Sequence, residues 1–339
     1  MNKLKIKLSA LDQSALSGRD KTFSQALAET TALAKRADEL GFTRFWVSEH
    51  HNAKSVASTA PEIFVAHIAS HTQNIRVGAG GIMLPNHSAL KVAESFKTLE
   101  ALYPNRIDLG LGRAPGTDRL TATILNPATN FSESEFLQQM HDLEHYLADS
   151  DQENSVFEKV KAYPLTPYTP ERWLLSSSGD SAQLAARMGL PLAYAHFITP
   201  NLGKEIVALY KALFVPSQAL PTPKTSLALF TFCSEDPSLV QQQQALLDYR
   251  FILSERGLFK EKPVSFADIK DEKYTPHEQN VIRINRERAI YDTPANMKKR
   301  LDDLILTAGI DELMLVTYGD QLSERQTSME LIAAMYDIR

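Results

Sequence analysis

Short apolar runs alternate with longer amphipathic stretches along most of the chain. Apolar runs bounded by Gly, Pro or Asn are typical of strands, and apolar positions that recur at helical spacing are typical of helices. The pattern predicts strands over residues 4–12, 43–52, 75–85, 106–113, 173–179, 191–198, 225–233 and 312–318. It predicts helices near residues 22–40, 61–71, 89–102, 133–148, 181–189, 201–213, 237–255, 293–308 and 323–336.

This order of elements predicts one closed barrel. Strands that alternate with helices, without a break in composition, favour a (β/α)8 TIM barrel over a doubly wound parallel sheet. We therefore expect residues 1–339 to form a single domain. Residues 257–292 follow the seventh predicted strand, carry many charges and show no clear period. We interpret them as an insertion that forms a mobile lid.

Composition and charge narrow the possible partners and compartments. The net charge of −5 gives no basic surface for nucleic acid or an anionic membrane. The single cysteine, Cys233, excludes an intrachain disulfide and a cysteine metal cage. The apolar run at the N-terminus is too short for a signal peptide, and no run is long enough for a membrane span. We expect a cytoplasmic protein.

The second predicted strand carries a histidine at its carboxyl end. Phe45 and Val47 fall on one side of this strand, and Trp46, Ser48 and His50 fall on the other. In a parallel barrel the branched apolar side faces the helices, so the set that contains His50 points inward. Active sites of such folds lie at the carboxyl ends of the strands. His50 is therefore a candidate catalytic residue.

The adjacent residues Glu49, His50 and His51 raise the possibility of a metal site. Neighbours on a regular strand point to opposite faces, so two consecutive histidines do not converge on one ion. The chain also lacks the HxH and HExxH spacings. We expect no metal here, and we interpret His67, His71 and His87 as ordinary polar or capping residues.

Glycines occupy the inward positions of two adjacent predicted strands. Gly78 and Gly80 lie on the inward side of the third strand, and Gly110 and Gly112 lie on that of the fourth, beside Asp108. Missing side chains near the rim leave a slot for a flat ligand. They also relieve crowding and permit tight barrel curvature. The sequence leaves both interpretations open.

Two further segments are suited to an anion. Arg113 directly follows the fourth strand, where its guanidinium can bind a phosphate through two hydrogen bonds or remain exposed or ion-paired. The stretch 176–179, SSSG, precedes a helix whose first amides favour a negative group. Simple capping by Ser178 or Asp180 is the alternative, and the Asp180 carboxylate would repel a phosphate. No nucleophile elbow, P-loop or dinucleotide-binding motif is present.

Four motifs in this order resemble the luciferase-like flavin-dependent monooxygenases: WVSEHH, VGAGGIMLPNHS, LYPNRIDLGLGRAPG and LLSSSGDSAQLAARMGLPLAYA. The resemblance implies a luciferase-like (β/α)8 barrel that binds FMN at the carboxyl ends of its strands. It implies that a separate NAD(P)H:flavin reductase supplies reduced FMN and that O2 converts it to a flavin C4a-hydroperoxide. This species would oxygenate a small, mainly apolar organic substrate. Family members pair through early helices, so a homodimer is expected.

The same resemblance assigns roles to individual residues. His50 matches an acid/base group or peroxide stabiliser beside the flavin, and Gly80 and Gly81 match a segment under the isoalloxazine, where some members have a non-proline cis peptide. The phosphate would be held by Arg113, Ser176, Ser177, Ser178 and Gly179.

Several features depart from the family pattern. Gly112 stands where luciferase has a cysteine. Ser176 stands where the branch of the family that this chain resembles usually has glycine, and Asp180 is an unusual residue at its position. Two other functions stay open. One is a deazaflavin-dependent oxidoreductase that transfers hydride without O2, and the other is a non-catalytic FMN-binding protein.

Overall fold

A computed structural model describes residues 4–17, 21–149, 155–258 and 264–338. The strands are β1 (Lys7–Asp12), β2 (Arg44–Val47), β3 (Arg76–Met83), β4 (Ile107–Gly112), β5 (Glu171–Ser176), β6 (Leu192–Ala195), β7 (Thr225–Cys233), β8 (Ala289–Asp292) and β9 (Glu312–Thr317). The helices are α1 (Phe23–Leu40), α2 (Pro61–His71), α3 (Ala89–Leu102), α4 (Arg119–Leu125), α5 (Glu133–Leu147), α6 (Val156–Lys159), α7 (Gly179–Arg187), α8 (Gly203–Leu213), α9 (Pro237–Glu255), α10 (Phe266–Ile269), α11 (Pro276–Asn285), α12 (Pro294–Ala308) and α13 (Leu322–Tyr336).

Eight of the strands close a parallel barrel, which confirms the predicted fold class. The ring runs from β1 through β7 in chain order and closes through β9, which pairs with both β7 and β1. The ninth strand, β8, lies outside this ring. It pairs with the upper half of β7, on the edge that β6 occupies along the lower half. The (β/α)8 architecture therefore carries one additional strand beside its seventh position.

Local signals in the sequence set many helix boundaries. Helix α1 begins with a capping box between Thr22 and Gln25 and ends at Gly41, whose φ of 81° is a left-handed conformation that glycine adopts without strain. Helix α12 begins with Pro294 and ends at Gly309 in the same way. None of the helices in the described ranges is long and apolar enough to cross a membrane.

The region 257–292 contains more regular structure than its sequence suggests. Its described part, residues 257–258 and 264–292, includes α10, α11 and β8. Helix α11 buries only Glu278 and Ile282, so its apolar face is too narrow to give a helical period in the sequence. Helices α4 and α6, which the pattern also missed, each bury a single residue.

The predicted alternation of side chains in β2 is confirmed. Phe45 and Val47 belong to the core between the strands and the helices. Trp46 belongs to a separate cluster inside the barrel, where its ring meets Trp173 edge-on at a centroid distance of 5.6 Å. Trp46 and Trp173 thus occupy the barrel interior below the rim.

A network of charged groups fills the amino-terminal mouth of the barrel. The Arg44 guanidinium, 1% exposed, lies 2.6 Å from Asp108 and 2.7 Å from Glu312. Arg76 also binds Asp108, at 2.7 Å, and the Trp46 indole donates to the same carboxylate. Each of these buried charges therefore has an opposite partner, although the Oε2 atom of Glu312 makes no hydrogen bond.

Candidate functional site

A cleft of about 280 Å³ opens at the carboxyl-terminal mouth of the barrel. It brings together six of the eight site residues that the sequence predicts: His50, Gly80, Arg113, Ser176, Ser177 and Ser178. Gly81 and Gly179 lie next to lining residues but do not line the cleft themselves. Segments from four different strand ends therefore meet at one site.

The His50 side chain is held by the loop that follows β2. Its backbone amide donates to the carbonyl of Ser58, and the Ser58 hydroxyl donates to the Ser48 carbonyl at 2.6 Å. The Ser48 hydroxyl lies 3.0 Å from Nδ1 of the imidazole. Burial lowers the pKa of His50, while the charge of Glu49 opposes this shift and His51 adds to it. The imidazole is therefore neutral at neutral pH.

Glu49 is the hub of a second buried network behind His50. Its carboxylate is 1% exposed and accepts hydrogen bonds from the Met83 amide at 2.8 Å and from the Asn86 side chain at 3.1 Å. Nε2 of His51 and Nε2 of His87 lie 2.8 and 2.9 Å from the same carboxylate. These bonds tie the end of β2 to the end of β3.

These hydrogen bonds also shift the pKa values of Glu49 and His87. Burial raises the pKa of Glu49, but its bonds with His87, Met83 and His51 outweigh this effect and lower the pKa overall. Burial lowers the pKa of His87, yet the contact with Glu49 raises it overall. His87 was therefore wrongly interpreted as an ordinary polar residue. Its position ahead of a predicted helix gave no sign of a partner 38 residues earlier in the chain.

The region around Glu49 does not assemble a metal site. In the described part of the chain, no three His, Cys, Asp or Glu side chains converge as they would on an ion. His50 faces the cleft, whereas His51 contacts the Glu49 carboxylate.

The glycines of β3 and β4 serve mainly to relieve crowding. A Cβ atom at Gly80 would lie 2.5 Å from the Trp46 ring, and one at Gly110 would lie 2.4 Å from the Ala79 carbonyl. The Gly80–Gly81 peptide is cis. Among these glycines, Gly80 and Gly112 also line the cleft. Both interpretations of the glycine pattern thus describe part of the structure.

The serine turn and Arg113 form the polar end of the cleft. The Ser176 hydroxyl donates to the Ser178 carbonyl at 2.6 Å and accepts from the Ser178 amide, so it shapes the turn. Ser177 and Ser178 line the cleft at the start of α7. The Arg113 guanidinium is exposed and has no carboxylate among the described residues within ion-pair distance. A cation, hydroxyl groups and a helix N-terminus together suit a phosphate.

Asp180 lies outside this arrangement. It is exposed in the first turn of α7, and Ser181 lines the cleft in its place. The expected repulsion between this carboxylate and a phosphate is therefore weakened by water.

The comparisons with known proteins agree on one family. The family model described as luciferase-like monooxygenase matches residues 6–312. An uncharacterized protein of Bacillus subtilis (strain 168), YwcH, is 40% identical over 96% of this chain and 98% of its own. The N-acetyl-S-alkylcysteine monooxygenase of the same organism is 40% identical over 57% of this chain and 58% of its own.

Solved structures share the whole fold. The crystal structure of apo-MsnO8 is 33% identical, with a TM-score of 0.90 over 98% of this chain and 99% of that one. Two structures below 25% identity share the fold alone, each with a TM-score of 0.72. One is the oxygenating constituent of a diketocamphane monooxygenase of Pseudomonas putida in complex with FMN, at 16% identity and 97% of each chain. The other is an F420-dependent secondary alcohol dehydrogenase, at 14% identity over 98% of this chain and 99% of that one.

Proposed function

The chain belongs to the luciferase-like monooxygenase family, and on that premise we propose that it is an FMN-dependent monooxygenase. The observation that carries this proposal is the cleft itself, which places a neutral histidine at one part of its wall and a phosphate-compatible turn at another. We propose that reduced FMN arrives from a separate NAD(P)H:flavin reductase. We also propose a cytoplasmic location, which follows from the composition of the sequence, and a homodimer, which follows from the family resemblance.

The residues of the cleft fit a phosphorylated flavin. Arg113, Ser177 and Ser178 would hold the phosphate, and Gly80 and Gly112 leave the rim without side chains where a flat ring system would lie. Leu11, Met83, Leu175, Phe197 and Ile198 supply apolar surface around that position. When bound, the reduced flavin supplies two electrons and activates O2, so that one oxygen atom enters the substrate and the other leaves as water.

His50 is the group in this cleft best suited to move a proton. Its imidazole is neutral, and in the tautomer whose Nδ1–H donates to the Ser48 hydroxyl oxygen, Nε2 can accept a proton. Glu49 fixes the backbone around it through Met83. The apolar wall excludes water from the reacting atoms, which prevents unproductive loss of the activated oxygen.

The substrate is proposed to be a small and mainly apolar organic molecule. The relative that acts on N-acetyl-S-alkylcysteine suggests a thioether, whose sulfur accepts one oxygen atom to become a sulfoxide. The described part of 257–292 is proposed as a lid over this site, and residues 259–263 of that segment lie outside the described residues.

Flavin binding and oxygen transfer test the proposal together. The purified protein is titrated with FMN and with riboflavin, and binding is followed by flavin fluorescence. We expect FMN to bind at least about tenfold more tightly, because a phosphate adds charged hydrogen bonds. Arg113→Gln should remove most of this preference and leave riboflavin binding unchanged.

Turnover uses benzyl methyl sulfide, NADH, a generic flavin reductase and isotopically labelled O2. We expect labelled sulfoxide. The proposal is wrong if FMN does not bind, or if the protein binds the deazaflavin F420 instead and reduces a substrate without O2. FMN binding without any oxygenated product would indicate a non-catalytic flavoprotein.

A further inference from the structure

A second chamber of about 270 Å³ adjoins the flavin cleft at the same mouth of the barrel. Its walls come from the loops after β1 and β2, the upper half of β7, the second half of α9 and the end of β9. The lining residues are Ala15, Leu16, Ser55, Val56, Phe230, Leu246, Leu247, Tyr249, Arg250, Phe251, Leu253, Val264 and Tyr318. The chamber is predominantly apolar, so it suits an organic ligand rather than a hydrated ion.

The chamber and the cleft share a wall at two places. Phe197 lines the cleft and Phe230 lines the chamber, with their ring centroids 5.3 Å apart. Tyr318 lines the chamber, and its hydroxyl donates to the side chain of Gln13, which lines the cleft. A molecule in the chamber therefore lies one side-chain layer from the proposed flavin position.

Arg250 is the single charged residue among the described residues that line this chamber. Its guanidinium lies 5.0 Å from the centroid of the Tyr318 ring. No carboxylate of the described residues lies within ion-pair distance of it, and Asp320 senses its charge only through space. By contrast, Arg256 at the end of the same helix binds Glu278 at 2.8 Å, and Arg286 binds Asp248 at 2.6 Å.

A half-buried guanidinium in an apolar wall, without a carboxylate partner, is matched by an anionic group on a ligand. We propose that the chamber is the substrate site and that, among small and mainly apolar molecules, it selects those that carry a carboxylate. The carboxylate binds Arg250, the apolar body lies against Leu246, Leu247 and Phe251, and the oxidisable atom points past Phe230 toward the cleft. This inference rests on the proposed function, because it assigns a substrate class to that reaction.

A matched pair of ligands tests the inference: benzylthioacetate and its neutral methyl ester. Both carry the same oxidisable sulfur, and only the acid can pair with a guanidinium. We expect the acid to have a KM about 10 to 100 times lower than the ester, the range that a charged hydrogen bond gives. Arg250→Gln should abolish this difference by raising the KM for the acid to that for the ester, and Arg250→Lys should retain part of it.

The control variant is Arg283→Gln, which removes the same charge from an exposed side chain on α11 that does not line the chamber. It should retain the full preference for the acid. A second measurement needs no flavin and no turnover. Benzylthioacetate should raise the melting temperature of the wild-type protein and of Arg283→Gln, but not that of Arg250→Gln.

Equal KM values for acid and ester, or a preference that survives Arg250→Gln, would overturn the inference while FMN binding and sulfoxide formation left the proposed function standing. If no sulfoxide forms from any thioether, the proposed function fails, and the thermal measurement still decides whether Arg250 binds the acid. FMN titration shows that Arg250→Gln is folded, because Arg250 does not line the flavin cleft.

Discussion

The two mouths of the barrel differ in whether their arginine side chains are paired with carboxylates. At the amino-terminal mouth, Arg44 and Arg76 are held against Asp108, and Arg44 also binds Glu312. At the carboxyl-terminal mouth, Arg113 and Arg250 line cavities without a carboxylate of the described residues in ion-pair distance. The paired charges close one end of the structure, whereas the unpaired ones have their hydrogen-bonding capacity available to a ligand.

This contrast separates stability from function within one fold. Removing one member of the paired set leaves buried charges without partners, so the cost should appear in the free energy of unfolding. Removing Arg113 or Arg250 at the other mouth leaves no carboxylate of the described residues without its ion-pair partner, so the cost should appear in binding or turnover. Variants at the two mouths test whether stability and function separate in this way.

The largest effect is expected for Arg44→Met. It leaves Glu312 buried without its arginine and Asp108 with Arg76 alone, and we expect the free energy of unfolding to fall by about 3–5 kcal/mol. Urea denaturation measures the change. Arg36→Met breaks an exposed pair with Glu39 and should cost less than about 1 kcal/mol. Equal losses in the two variants would show that the buried network has no special role.

His50→Ala should lower kcat for sulfoxide formation by about 100-fold, because a positioned acid/base group contributes about that factor or more. The FMN dissociation constant and the urea midpoint should stay near the wild-type values. The exposed His71, at the end of α2, provides the control, and His71→Ala should leave kcat unchanged. A loss of FMN affinity equal to the loss of kcat would assign His50 to binding instead.

Glu49→Gln should move the acid limb of the pH profile. Activity that needs the neutral imidazole falls as pH drops through the pKa of His50, which lies below the ordinary value of 6.5. The Glu49 charge raises that pKa, so its removal should shift the limb to still lower pH. His51 lowers the same pKa, so His51→Gln should shift the limb to higher pH. Shifts in the same direction would exclude this electrostatic account.

The smallest effect is expected for Asp180→Asn. This exposed carboxylate stands beside the serine turn without lining the cleft, so removing its charge should tighten FMN binding by about twofold at low salt. Riboflavin binding should not change, since riboflavin lacks the phosphate. A tenfold gain would place Asp180 in direct contact with the ligand.

The fold prediction rested on the periodicity of apolar residues and on the residues that end helices. The alternation around Trp46 and the glycines that end α1 and α12 are local signals, and each agrees with the structure. The same reasoning placed His50, Arg113 and the serine turn at carboxyl strand ends, and these ends meet at one cleft because parallel barrel strands all point the same way.

Contacts between segments that are far apart in the chain could not be predicted from the sequence. Glu49 and His87 are 38 positions apart, and Arg44 and Glu312 are 268 apart, so no spacing rule links them. Strand β8 was missed because its four residues follow a charged helix with a narrow apolar face. Arg250 gave no signal either, because a helix that is buried on several sides shows no single apolar stripe.

Strand β8 affects which parts of the carboxyl-terminal mouth can change in sequence without disturbing the barrel. It satisfies the backbone of β7 from Phe230 to Cys233, along the edge that β6 leaves vacant above Ala228. The segment that joins β7 to β8 supplies Val264 to the chamber. Its described residues lie outside the closed ring of eight strands. A change in the length or composition of that segment would leave the hydrogen bonds of β7 in place, so the ligand preference of the chamber would change while the barrel beneath it stays the same.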